Sequence, residues 1–133
     1  MCEYTPSEKE IANARKVLDI LSHMEGISYE VKREDLVEVM EQDSGISVTI
    51  DAEETIICLI MEVMDIPGGN REAFYRKLLE LNDASLHGAF SVNNGKVYLK
   101  DNLESENLDP NELENSLAAM FLFVIRHLDL LEK

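Results

Sequence analysis

The sequence predicts an α+β fold built on a mostly antiparallel sheet. Three observations carry the prediction. Apolar, strand-like runs between residues 46 and 65 follow one another through a short turn, as antiparallel neighbours do. Asn94-Gly95 stands between two alternating segments and marks a tight hairpin. Helical patterns stand at both ends and once in the middle, and do not alternate with single strands. The order read along the chain is helix, two or three strands, helix, hairpin, helix, which is α+β and not alternating α/β.

Ser7 followed by Glu10 has capping-box spacing. Ile11, Ala14, Leu18 and Leu21 then recur at helical intervals, flanked by Val17 and Met24. This predicts an amphipathic helix over residues 7–24, with Gly26 suited to its end. Residues 27–42 read two ways. "ISYEV" alternates like a strand, and "DLVEVMEQ" fits a strand or a turn and a half of helix; strand is favoured. In "GISVTID", Ile46, Val48 and Ile50 share one face and Ser47 and Thr49 the other. "DAEE" is the connecting turn. "TIICLIMEVMDI" carries Ile56, Cys58, Ile60 and Met64 on one side and Ile57, Leu59, Met61 and Val63 on the other, interrupted by Glu62. A buried helix would give the same run, but the isoleucines and the flanking turn residues favour a strand. A strand apolar on both sides is expected at the centre of the sheet, covered on both faces.

"PGGN" ends that strand, and Asn70 caps a helix through about Leu81, with Phe74, Leu78 and Leu81 on one face and Tyr75 and Leu79 beside them. The type I′ turn at Asn94-Gly95 needs two residues at positive φ and fixes the hairpin register. Asn93 faces Lys96, Val92 faces Val97, Ser91 faces Tyr98 and Phe90 faces Leu99. Phe90, Val92, Val97 and Leu99 form the core face; Ser91, Asn93, Lys96 and Tyr98 form the opposite one. Asp109 is a good N-cap, Pro110 suits the first helical position and Glu112 the first turn. Leu113, Leu117, Met120, Val124, Leu128 and Leu131 make the stripe of the last helix. Its middle, "LAAMFLFVI", is apolar all round, with Ala119 and Phe123 off the stripe on one side and Ala118 and Leu122 on the other. A helix of that kind is expected to be buried all round.

The chain has 133 residues, 45% hydrophobic and 29% charged, which suits one globular domain over residues 1–133 with residues 1–6 fraying. Net charge is −15, from 27 acidic and 12 basic residues. Nucleic acid and anionic membrane are poor partners for such a surface, because both are bound by clustered Lys and Arg. The charge favours solubility and suits a basic or polar partner. Cys2 and Cys58 have no metal spacing and make no disulfide framework, which points to a reduced, cytoplasmic setting. The acidic N-terminus is no signal peptide, and no apolar run is long enough to span a bilayer.

Candidate chemistry is sparse. His23, His87 and His127 lie on three elements without ligand spacing. The acidic run from Asp101 to Glu114 fails the calcium-loop pattern, since Leu103 and Glu106 stand where an oxygen ligand and a glycine are needed. "IPGGNRE" lacks the lysine and hydroxyl of a phosphate loop. No Ser or Cys has a nucleophile-elbow context, and no pair of carboxylates is singled out. Catalytic, cofactor-binding and metal-binding residues are therefore expected to be none, and the protein is expected not to be an enzyme.

The succession "DIPGGN", "REAFYRKLLELN", "GAFSVNNGKVYLKDNL", "ESENLDPNELENSL" and then a long apolar helix resembles the type III secretion chaperone-like domains, the group that holds the Tir chaperone family and the YbjN-type proteins. The resemblance covers residues 46–132, with Pro67, Asn82, Phe90, Asp109 and Leu113 as landmarks, and extends weakly to the first helix. It implies the order α-β-β-β-α-β-β-α, about five strands with three helices, and a domain that usually dimerises. It further implies binding of an extended segment of a client protein, or, in the YbjN-type branch, a regulatory or adaptor role without secretion clients. It carries no fixed site residues. Two surfaces are therefore chosen from the pattern as partner-binding candidates: Ala119, Leu122 and Phe123 on the last helix, and Ser91, Lys96 and Tyr98 on the hairpin's outer face.

Overall fold

A computed structural model describes residues 5–85 and 87–132, with side chains described through Asp129. Cys2 and most of the expected frayed terminus lie outside the described residues, as does the Leu131 side chain. The elements are α1 (Glu8–Leu21), β1 (Ile27–Arg33), β2 (Leu36–Glu41), β3 (Ser47–Ala52), β4 (Ile56–Asp65), α2 (Arg71–Ala84), β5 (Ala89–Asn93), β6 (Lys96–Glu104) and α3 (Pro110–Glu132). The sheet is antiparallel throughout, in the order β1-β2-β3-β4-β6-β5. It has six strands where about five were expected. The additional strand comes from residues 27–42, whose two segments, both favoured as strands, form a hairpin.

Local chemistry sets most boundaries. The capping box of α1 is complete: the Glu10 amide donates to Ser7 Oγ at 3.1 Å and the Ser7 amide to Glu10 Oε1 at 2.8 Å. Asn70 Oδ1 accepts from the Ala73 amide and caps α2. Asp109 accepts from the Asn111 amide at 2.8 Å just before α3. The β5–β6 turn has Asn94 at φ 50° and Gly95 at φ 79°, and its register is the one the sequence predicts, Phe90 opposite Leu99 through Asn93 opposite Lys96.

One core joins all three helices to one side of the sheet. Val17 and Leu21 of α1, Phe74 and Leu78 of α2, and Leu113, Leu117 and Met120 of α3 meet Val39, Ile50, Leu59 and Leu99 there. Two expectations fail. Strand β4 is central, between β3 and β6, but only one of its faces is covered. Ile57, Leu59 and Met61 are fully buried, whereas Ile56 is 38% exposed and Cys58 and Ile60 are half-buried on the opposite side. The reason is that the helices all pack on one face, so the apolar side chains of the other have no layer above them. Helix α3 is likewise not buried all round. Phe121 joins the core, but Leu122 and Ile125 remain 48% and 47% exposed, because one sheet and two neighbouring helices cannot surround it.

Candidate functional site

The uncovered face of the sheet is the candidate site. Cross-strand partners share a face, so the register defines its rows. Glu38 of β2 lies opposite Thr49 of β3, Thr49 opposite Ile60 of β4, and Ile60 opposite Lys100 of β6. A parallel row runs Leu36, Asp51, Cys58, Asn102. The face thus offers an apolar band along β4, with carboxylates towards β2–β3 and lysines on β6. Five strand spacings make it about 24 Å wide, the length of an extended segment of about eight residues.

Several contacts tie the margins of this face to the rest of the fold. The β3–β4 turn is pinned from below by Asn13, buried in α1, whose Nδ2 donates to the Glu53 and Glu54 carbonyls at 2.8 and 3.0 Å. Ser105 Oγ donates to the same Glu54 carbonyl. Asp35, fully buried at the β1–β2 turn, pairs with Arg33, and its carbonyl accepts from the Ala52 amide. At the other edge, Asn82 of α2 clamps β5. Its Oδ1 accepts from the Phe90 amide at 2.6 Å and its Nδ2 donates to the Phe90 carbonyl at 3.3 Å. Those two backbone groups are therefore occupied, and this edge is partly closed to another strand.

Two groups on the face titrate abnormally. Burial pushes the Asp51 carboxyl up, helped by the neighbouring charges of Asp35 and Glu53 and opposed by Arg33. Burial also pushes the Cys58 thiol up, with Glu53 and Asp51 adding to it. Both shifts favour the uncharged form of the group, and neither points to a nucleophile. Among the described residues no three His, Cys, Asp or Glu side chains are gathered to hold a metal, and no helix is long and apolar enough to cross a membrane.

The candidate partner residues fall on two separate surfaces. Ser91, Lys96 and Tyr98 stand together at the β5–β6 end of the open face, where Lys96 bridges Asp65 at 3.0 Å and Glu62 at 3.4 Å. Ala119, Leu122 and Phe123 line a recess of about 240 Å³ between α3 and the end of α2, beside His87 and His127. Phe123 is only half-buried there, its ring 5.8 Å from Phe90 and 4.6 Å from His127. Residues 38, 46, 49, 56, 58 and 60 were not singled out as a site. The signal for β4 was present, because its second apolar side was visible in the sequence, but it was assigned to a covering layer that this fold lacks. A further apolar surface was also missed. Tyr75 and Leu79 of α2 and Val92 of β5 border a hollow of about 180 Å³, with Leu79 68% and Val92 46% exposed.

Comparison with known proteins decides the family. The family model CesT_Tir_1 matches residues 11–133. The chain belongs to the CesT_Tir_1 family. Solved structures with the same fold include a chain of the heterodimeric ExoU–SpcU complex from the type III secretion system of Pseudomonas aeruginosa. That match has a TM-score of 0.58 at 14% identity, over 73% of this chain and 80% of that one. A chain of the HopA1–SchA chaperone–effector complex matches with a TM-score of 0.63 at 12% identity, over 90% of this chain and 95% of that one. No curated protein sequence matches. At these identities the structural likeness is one of fold, and the membership rests on the family model.

Proposed function

We propose that this CesT_Tir_1 member is a non-enzymatic, chaperone-like protein that binds an extended segment of a client polypeptide, and that it works as a homodimer in the cytoplasm. The observation that carries the reading is the uncovered sheet face, with Ile56, Cys58 and Ile60 exposed or half-buried along the central strand. An apolar band on a sheet suits a chain laid across it, and covering it with side chains of a partner contributes roughly 25 cal/mol per Å² of apolar surface. Family membership and the fold shared with chains of secretion complexes support a client protein over a small ligand. They also favour this reading over a YbjN-type regulator without clients. The homodimer is supported by the apolar surface of Tyr75, Leu79 and Val92, which a lone chain leaves in water.

The test is binding of overlapping peptides tiled along the protein encoded beside this one, read by fluorescence anisotropy. Wild type is expected to bind a segment that Ile60→Asp no longer holds, while both proteins melt alike because Ile60 lies outside the core. Equal binding by the two would move the client to another surface. The hairpin's outer face is tested in the same assay: Tyr98→Ala is expected to weaken binding and Ala119→Glu to leave it unchanged.

A further inference from the structure

We propose that the open sheet face selects cationic–apolar segments, with a lysine or arginine side chain of the bound polypeptide seated between Glu38 and Glu62. The inference rests on the reading of this face as the client surface and adds the chemical class of the client.

The seat is a hollow of about 520 Å³ lined by Glu38, Ile46, Thr49, Ile60, Glu62 and Tyr98, among others. Ile46 and Ile60 give it apolar surface, Thr49 a hydroxyl between Glu38 and Ile60, and Glu38 and Glu62 their carboxylates. Glu38 is two strands from Ile60, about 9.5 Å, and Glu62 is the next residue on that side of β4. A single long cationic side chain lying over Ile60 can therefore meet a carboxylate at either end of its reach. The aliphatic part of such a side chain also packs on isoleucine while its charged head stays in water.

The molecule's own cations stand at the rims of this seat: Lys96 bridges Glu62 at 3.4 Å, and exposed Lys32 on β1 feels the charge of Glu38. Glu38 has no Lys, Arg or His within ion-pair distance among the described residues. Glu30, beside it on β1, holds Lys32. Lys96 is shared between Asp65 and Glu62, so it keeps an acidic partner when Glu62 turns to a ligand. Lys100 lies beyond Ile60, its Nζ 5.6 Å from the centre of the Tyr98 ring.

Half-burial is what makes the charge decisive. Glu38 and Ile60 stand in one row, so whatever covers the isoleucine also strips water from the carboxylate. An apolar cover leaves that charge uncompensated, which is costly. An anionic cover is repelled, and a second copy of this chain brings the same carboxylates to the contact. A cation offsets the loss of hydration of the carboxylates, against the opposing charges of Lys96 at Glu62 and Lys100 opposite Ile60.

The test uses the whole protein and a phage-displayed library of random peptides about eight to twelve residues long, enough to cross the sheet. Selection is expected to enrich peptides with Lys or Arg beside apolar residues. The best of them, made synthetically, should bind Glu38→Gln/Glu62→Gln about threefold or more weakly than wild type and lose affinity as salt rises. Enrichment without basic residues, or binding untouched by the double substitution and by salt but lost in Ile60→Asp, overturns the cationic seat and leaves the client surface standing. Binding untouched by Ile60→Asp as well overturns both. A dimer that becomes a monomer in Ile60→Asp shows that a second copy occupies this face and overturns the proposal too. Circular dichroism of the variants checks that these solvent-facing changes leave the fold intact.

Discussion

At the scale of single residues, three side chains tie the sheet's open face to measurable chemistry. Asn13 satisfies two carbonyls of the β3–β4 turn from inside the protein. Asn13→Ala leaves the Glu53 carbonyl without this donor, while the Glu54 carbonyl keeps Ser105, and should cost about 1–3 kcal/mol in denaturant unfolding. Asp51 works in the other direction. Its folded pKa lies above that of the unfolded chain, chiefly through burial and then through Asp35. The folded state therefore holds a proton more tightly than the unfolded one. Stability from this group is present below the ordinary carboxylate range and is lost as pH rises through the folded value. Asp51→Asn should accordingly raise the melting temperature at pH 7, and the gain should vanish in acid below both values; a variant less stable at neutral pH would contradict the sign. Cys58 has its thiol pushed up by burial and by Glu53 and Asp51. The thiolate is the reactive form. Alkylation at Cys58, located by peptide mass mapping, should be slower at neutral pH than for an unhindered thiol, and slower again with client bound.

At the scale of elements, what could be read in the sequence follows how local each signal is. The register of the β5–β6 hairpin was legible to the residue because turn chemistry and alternation fix it together, although Val92, read as core, is 46% exposed on the edge strand. The same locality gives it a sharp sensitivity. Gly95 stands at φ 79°, so Gly95→Val should cost about 1–2 kcal/mol in chemical unfolding without changing the strands' pairing partners. The helix caps at Ser7, Asn70 and Asp109 were legible for the same reason. Residues 27–42 were legible only in part: the favoured strand reading holds for both segments, but the apolar run of "DLVEVMEQ" is short enough to fit a turn and a half of helix equally well. The second side of β4 misled for a different reason. A strand's composition records that a face is apolar, and only tertiary structure records whether a helix, another sheet or a different molecule covers it. Ser91, Lys96 and Tyr98 were placed on the hairpin's outer face, which belongs to the open side of the sheet, while the apolar band of β4 on that side was taken for core.

At the scale of the whole molecule, the excess of acid and the leftover apolar surface act on association with opposite signs. A net charge of −15 on each chain makes two copies repel at low ionic strength. In the homodimer proposed above, the Tyr75, Leu79 and Val92 surface would favour contact regardless of salt. Homodimerisation should therefore strengthen as salt screens the repulsion, from about 0.05 M to about 0.5 M, while binding of a cationic client should weaken over the same range. Light scattering across that series checks the first and anisotropy the second. The residues at the contact follow from which side chains a lone chain does not use. Leu79 is mostly exposed, so Leu79→Glu should give a monomer that melts like the wild-type chain under dissociating conditions. Leu122→Glu, on α3, should leave the mass unchanged; if it alone releases the monomer, the contact runs through α3. Phe123→Glu should differ from both. Its ring packs against Phe90 and His127, so a carboxylate there faces apolar surroundings and should destabilise the fold itself by about 1–3 kcal/mol, which thermal unfolding distinguishes from a simple loss of mass.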